Sequence, residues 1–277
     1  MNTKVTRIEV TSEICDLEEL ILLIRPNKII HLASISNTEE CERDPLKTLD
    51  LNGRMAASLC DIIKRNNIPC KLFNASSSEV YKGHQTYTIR EDNLQNMLPT
   101  TMYAICKSVG HLIVDSYRQK YNLPFSNGVL FMTESKQRSE SFLLKKVAIH
   151  ARSWHQGCKM PLSLGNLDSF RNINHCQDIA DAIAIILEQP RGDTYVVCGS
   201  NFEKVEDLVI QIYRVFNILL KKEGHNLIDL TGTTVVILGA CLRSSITAIN
   251  GEAVKLRALG WNPKYTTQTI LEDIADL

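Results

Sequence analysis

Short, apolar, β-rich runs alternate with longer stretches of helical period along most of this 277-residue chain. Strands that alternate with helices are joined by crossovers, so the pattern predicts an α/β fold with a parallel sheet. The candidate strands are Lys4–Val10, Lys28–Ala33, Lys71–Ala75, Phe125–Phe131, Thr194–Cys198 and Thr233–Leu238. Between the first two, Ser12 can cap a helix with Glu13, Asp16, Glu18 and Glu19 near its positive end, stopping before Pro26. Asp44 caps the next helix, with Pro45 at its first position and Lys64 and Arg65 in its last turn. Further helices are expected over about Thr101–Lys120, Asp178–Glu188 and Glu206–Lys222. The strict alternation loosens after about Ser135. The expected organisation is therefore a domain over 1–135, then a mixed region over 136–277 that supplies a smaller C-terminal lobe and the remaining strands.

Composition narrows the function classes. Hydrophobic residues at 44% and charged residues at 22% exclude a disordered or fibrous chain. Lys+Arg and Asp+Glu are both 31, so no net charge draws the protein to nucleic acid or an anionic membrane. The nine cysteines are odd in number, widely spaced and without CxxC, which predicts buried free thiols in a reducing, cytoplasmic setting. The seven histidines form no HExxH, and no metal site is expected. No apolar stretch reaches the length of a membrane span, and the start lacks the apolar core of a signal peptide.

The first chemical constellation is Tyr103-Ala-Ile-Cys-Lys107. Positions i and i+4 share one helix face, so phenol and ammonium project together, and a nearby cation makes Tyr a better proton shuttle. Only Tyr103 of the eight tyrosines has a Lys four residues on, although an ordinary exposed helical pair has the same spacing. The second is Asn74-Ala-Ser-Ser-Ser-Glu-Val-Tyr81, directly after a candidate strand. Ligands of open α/β sheets sit at the carboxyl ends of strands, which puts Ser76–Glu79 at a crevice, with hydroxyls to donate and a carboxylate to take a proton. A Ser-rich turn is the plainer reading.

Together these stretches resemble an extended short-chain dehydrogenase/reductase, and further residues resemble the GDP-mannose 4,6-dehydratases. Leu130-Phe-Met-Thr-Glu-Ser-Lys-Gln-Arg138 is similar to their LFNHESPRR, Ser163-Leu-Gly-Asn-Leu-Asp-Ser-Phe-Arg171 to SLGNLDAKRDWGH, and Gly260-Trp-Asn-Pro-Lys264 to GWKPK. The resemblance implies a Rossmann-like parallel sheet with helices on both faces and a C-terminal substrate lobe. It also implies a reaction: NADP-dependent oxidation at the hexose C4 hydroxyl, loss of water across C5–C6, and return of the hydride to C6. In that scheme Tyr103 is the base at the C4 hydroxyl, Lys107 stabilises the phenolate, Ser77 hydrogen-bonds the C4 oxygen and Glu79 takes the C5 proton. Glu134, Asn166 and Arg171 would contact a GDP-mannose-like nucleotide sugar, and Arg138 would meet a phosphate as a cofactor contact. A homodimer, or association with a complete homologue, would form through the Leu51–Arg65 and Tyr103–Tyr117 helices.

The sequence departs from the family at the cofactor. The family opens with a strand and a TGxxGxxG loop whose backbone N–H groups cradle the pyrophosphate, whereas the first glycine here is Gly53. The fold is therefore expected to be truncated at its N-terminal βαβ unit, with Lys4–Val10 moving in as an edge strand beside Lys28–Ala33. The GAQSHV segment corresponds to Ala33-Ser34-Ile35-Ser36-Asn37-Thr38, which keeps Ser36 but has Ile35 for Gln. The resulting expectation is a degenerate dehydratase-like protein that has lost NADP binding and keeps a sugar-nucleotide site. The alternatives are an active dehydratase with atypical NADP binding, and a structural or interaction protein without ligand.

Overall fold

The structure is a computed structural model that describes residues 5–8, 15–165, 167–239 and 247–276. The chain runs α1 Cys15–Ile24, β1 Lys28–His31, α2 Thr38–Arg43, α3 Pro45–Leu49, a π turn Asp50–Arg54, α4 Met55–Arg65, β2 Lys71–Ser77, a 3₁₀ turn Ser78–Tyr81, β3 Thr86–Ile89, α5 Met102–Tyr121, β4 Phe125–Leu130 and β5 Met132–Glu134. It continues through α6 Leu143–His155, β6 Leu162–Leu164, β7 Phe170–His175, α7 Cys176–Glu188, β8 Thr194–Val197, β9 Phe202–Lys204, α8 Val205–Val215, β10 Leu220–Glu223, β11 Asn226–Asp229, β12 Thr234–Leu238, β13 Ala248–Gly251, α9 Val254–Ala258 and α10 Thr267–Ala275.

Contacts divide the chain into two units. The first comprises 1–80, 99–129 and 183–195, the second 81–98, 130–182 and 196–277. Residues 136–277 thus contribute to both. The first unit holds a sheet in the order β1-β2-β4-β8, with β1 and β2 parallel in the register Lys28↔Lys71 to His31↔Asn74. Its core joins Ile21, Met55, Leu59, Ile63, Leu72, Val114 and Phe125, so α1, α4 and α5 bury their apolar faces against the strands. The second unit holds two further sheets, β10-β11-β12-β6 and β3-β13-β7-β5 with β9 on β7. The helices α6, α8 and α10 meet there over Leu144, Ala151, Trp154, Leu208, Ile212, Tyr213 and Ile274.

Several local expectations hold for the reasons given. Asp44 accepts from the Lys47 N–H at 3.0 Å as an N-cap, and Thr101 caps α5 through the Ala104 N–H. Cys41, Cys60, Cys70, Cys106 and Cys198 are buried free thiols, while Cys158 is exposed. No helix among the described residues is long and apolar enough to cross a membrane.

Three local expectations are corrected. The helix from Pro45 to Arg65 is interrupted by the π turn, where the Asn52 amide turns inward to hold Ile35. The helix expected over Glu206–Lys222 stops at Val215, because Asn217 adopts a left-handed φ of 59° and the Ile218 N–H returns to the Tyr213 carbonyl. The residues beyond it form β10. The edge strand expected over Lys4–Val10 is not formed by its described part: Val5–Ile8 are exposed and lie in no strand. Val5 is 84% exposed, so its side chain gains no burial to hold a strand in place. Lys4, Glu9 and Val10, together with the Ser12 and Glu13 of the proposed cap, lie outside the described residues.

Candidate active site

Four of the expected residues belong to the first unit. Ser77 ends β2, and Glu79 follows in the 3₁₀ turn, its N–H donating to Ser77 Oγ at 3.2 Å. Tyr103 and Lys107 lie one turn apart near the start of α5. Lys107 ties that helix to the strand, because its Nζ donates to the Ala75 carbonyl at 2.9 Å, two residues before Ser77. The ammonium lies 5.9 Å from the centre of the Tyr103 ring. Burial pulls Lys107 down to about 8, so the group stays protonated at neutral pH yet is easily discharged. A cation held this near a phenol, at the carboxyl end of a parallel strand, is an arrangement for moving a proton on and off a ligand hydroxyl.

Behind this face runs a buried polar chain that the sequence reading missed. Ser76 Oγ shares a 2.8 Å hydrogen bond with His111 Nδ1, and His111 Nε2 lies 3.5 Å from Asp115. Asp115 also accepts from Asn127 at 2.7 Å and pairs with Arg118 at 2.9 Å. Burial pushes its carboxyl up, but these donors and cations outweigh that and hold it below the usual range. Asn127 receives the amide of Asn74, whose Oδ1 accepts from His31 Nδ1 at 2.9 Å. Burial pulls His31 down to about 4, which keeps the ring neutral. The signal in sequence was the i, i+4, i+8 run Lys107, His111, Asp115, which places three polar groups along one strip of α5.

The other expected residues belong to the second unit. Glu134 closes β5 and Arg138 follows it around a turn, with Arg138 Nε 3.8 Å from Glu134 Oε1. Arg171 has internal partners: its Nη1 donates to the Phe170 carbonyl at 2.8 Å and to Thr247 Oγ1 at 3.1 Å. Asn166 lies outside the described residues.

The described residues fit a nicotinamide dinucleotide only in part. Tyr103 and Lys107 suit its reactive end. The Ile35 backbone does not offer contacts, since both its N–H and its carbonyl are taken by Asn52 at 2.9 Å. Nor do the early glycines form a phosphate cradle. A Cβ on Gly110 would stand 2.9 Å from the Asn52 carbonyl, and one on Gly53 would stand 3.3 Å from the Cys106 carbonyl. Both glycines serve a close crossing of α5 over the π turn.

A parallel sheet with Ser77 at the end of β2, tied through Lys107 to the Tyr103 helix, defines the Rossmann-type α/β fold class. Within that class the chain belongs to the GDP-mannose 4,6 dehydratase family, whose model matches residues 2–274. It is 26% identical over 268 residues to GDP-mannose 4,6-dehydratase sdnI of Sordaria araneosa, covering 93% of this chain and about half (49%) of that relative. It is 27% identical to GDP-mannose 4,6 dehydratase 2 of Caenorhabditis elegans, covering 96% of this chain and 71% of the relative. Among solved structures, RMD from Pseudomonas aeruginosa complexed with NADPH superimposes with a TM-score of 0.74 at 20% identity, covering 90% of this chain and 80% of that one. The dTDP-glucose 4,6-dehydratase (rfbB) of Bacillus anthracis in complex with NAD gives 0.74 at 22%, covering 93% and 74%. At these identities the structural likeness is one of fold.

Proposed function

We propose that residues 1–277 form a nucleotide-sugar-binding member of this family, with a GDP-mannose-like ligand, in which the acid–base residues persist and the NADP contacts are degenerate. In this reading Tyr103, supported by Lys107, faces a sugar hydroxyl, Ser77 hydrogen-bonds its oxygen, and Glu79 is the carboxylate for a carbon-bound proton. The observation that carries the reading is a contrast: Lys107 holds the Tyr103 helix to the end of β2, while Ile35 and the early glycines are spent on internal packing. Hydride transfer belongs to the cofactor, and the protein's part is to bind and aim it. Without an oxidised C4 the C5 proton is not acidic enough for Glu79 to remove, so the retained residues bind without completing dehydration.

A second reading, an active dehydratase whose remaining cofactor contacts come from another polypeptide, is favoured by the intact Tyr103–Lys107 pair. Exposed Ile105 and Leu112, seven residues apart on α5, would be the surface for a second copy or a complete homologue. One experiment separates the readings. The purified chain is heated with GDP-mannose, with NADP and with both, and the mixture is assayed for a 4-keto-6-deoxy sugar. GDP-mannose is expected to raise the melting temperature, NADP to add nothing, and no product to form. A 4-keto-6-deoxy product from the chain alone overturns the first reading. No shift with any nucleotide sugar leaves a structural role.

A further inference from the structure

The first strand, β1, is fixed on one side and bare on the other. Its register with β2, and the 3.0 Å bond from the Lys71 N–H to the Asn27 carbonyl, turn the backbone groups of Ile29 and His31 toward β2. Each neighbour in a parallel ladder engages every second residue. The N–H and carbonyl of Lys28 and Ile30 therefore face outward, on the side where β1 ends the sheet. Among the described residues no group bonds to them. The side chains divide in the same way. Ile29 packs on the first unit's core and His31 is buried with its Nδ1 against Asn74, whereas Ile30 is 50% and Leu32 is 57% exposed. The devices that blunt an edge are missing: β1 holds no proline and no bulge, and the ammonium of Lys28 is paired with Glu188. Val5–Ile8, the described part of the chain's own start, are exposed and in no strand, so they do not cover this edge.

The chemistry of the edge limits what covers it. Open donors and acceptors recur together at every second residue, about 7 Å apart. Another peptide backbone supplies acceptors and donors at that interval, and a small anion or a sugar does not. Ile30 and Leu32 call for apolar side chains beside them, and the Lys28–Glu188 pair, already neutral, calls for an uncharged polar one. A second copy of this chain fits less well. A two-fold axis that used the open groups of both β1 strands would press each Lys28–Glu188 pair against Ile30 of the other copy, stripping it of water. We propose that β1 is a docking edge for an extended segment of a different polypeptide, which adds to the sheet as a further strand and carries apolar residues at alternate positions. The edge shares no residue with the acid–base site or with the exposed face of α5, and the proposal holds whether or not the chain binds a nucleotide sugar.

The test is amide hydrogen exchange of the whole chain, read residue by residue by NMR, with and without a short peptide in which Val and Thr alternate. In the free protein the amides of Ile29 and His31 are expected to exchange slowly and those of Lys28 and Ile30 fast. Saturating peptide is expected to slow Lys28 and Ile30 by about tenfold or more, and the same peptide with its backbone nitrogens methylated to have no effect. Ile30→Lys puts a free charge on the edge and is expected to weaken peptide binding by about tenfold or more, with the melting temperature unchanged. Leu32→Lys, just beyond the strand, is expected to act alike and serves if Ile30→Lys does not fold. Slow exchange at Lys28 and Ile30 in dilute protein alone overturns the proposal, because the chain itself would then cover the edge. Slowing that follows protein concentration, with a doubled mass that Ile30→Lys abolishes, assigns a second copy and overturns it too. Equal protection by the methylated peptide, which is apolar adsorption, or no protection by either peptide, has the same consequence.

Discussion

At the scale of single residues, the shared face of Tyr103 and Lys107 follows from helix spacing, but the direction of the ammonium does not. It is aimed by the Ala75 carbonyl, 32 positions earlier in the chain. Glu134 makes the same point with opposite sign. Its residue type is plain in sequence, while its burial and its unpartnered oxygen are tertiary facts. The consequence for stability can be worked out. A carboxyl pushed up to about 7 in the fold, from an ordinary 4.5, stabilises fully below 4.5 and loses that contribution as pH rises through 7. Glu134→Gln carries no such penalty. Its unfolding free energy is expected to pull ahead of wild type between these pH values, approaching about 3 kcal/mol on the alkaline side. Denaturant melts at several pH values check this, and parallel pH curves would refute it.

Secondary-structure elements show where periodicity suffices and where it fails. The α5 helix matches its expected span to within a residue at each end, because Thr101 caps it and Asn122 closes it with a left-handed φ of 52°. The long helix after Asp44 was equally regular in pattern, yet the π turn breaks it where Asn52 must reach Ile35. No local signal announces that demand. The crossing of α5 over this turn depends on Gly110, and Gly110→Ala is expected to destabilise. A Cβ 2.9 Å from a backbone carbonyl forces the helices apart at a cost of about 1–3 kcal/mol, which exceeds the gain of about 1 kcal/mol in helix propensity. A lower urea midpoint with unchanged slope is the result to look for, and a raised midpoint would show that the crossing tolerates the methyl group.

At the scale of the whole molecule, the chain passes between its two units several times, so segments distant in sequence share a core. The association proposed through α5 belongs to this scale. Ile105 is 45% and Leu112 is 59% exposed, a spacing that places both on one helical face. Leu112→Glu is expected to reduce the mass seen by light scattering to that of one chain without lowering the melting temperature of the monomer. A wild-type mass of one chain at all concentrations would remove this interface from the proposal. The sequence by itself determined the α/β alternation, the family, the free thiols and the types of the acid–base residues. Those are properties of local period, composition and motif, which the covalent chain carries wherever it is folded. Tertiary structure alone decided which polar atoms found partners, where Asn52 and Asn217 interrupt regular helices, and that Glu134 and Arg138 are left with hydrogen bonds unmade. Each of these depends on groups far apart in sequence competing for the same burial and the same donors, a contest that is settled only when the chain packs.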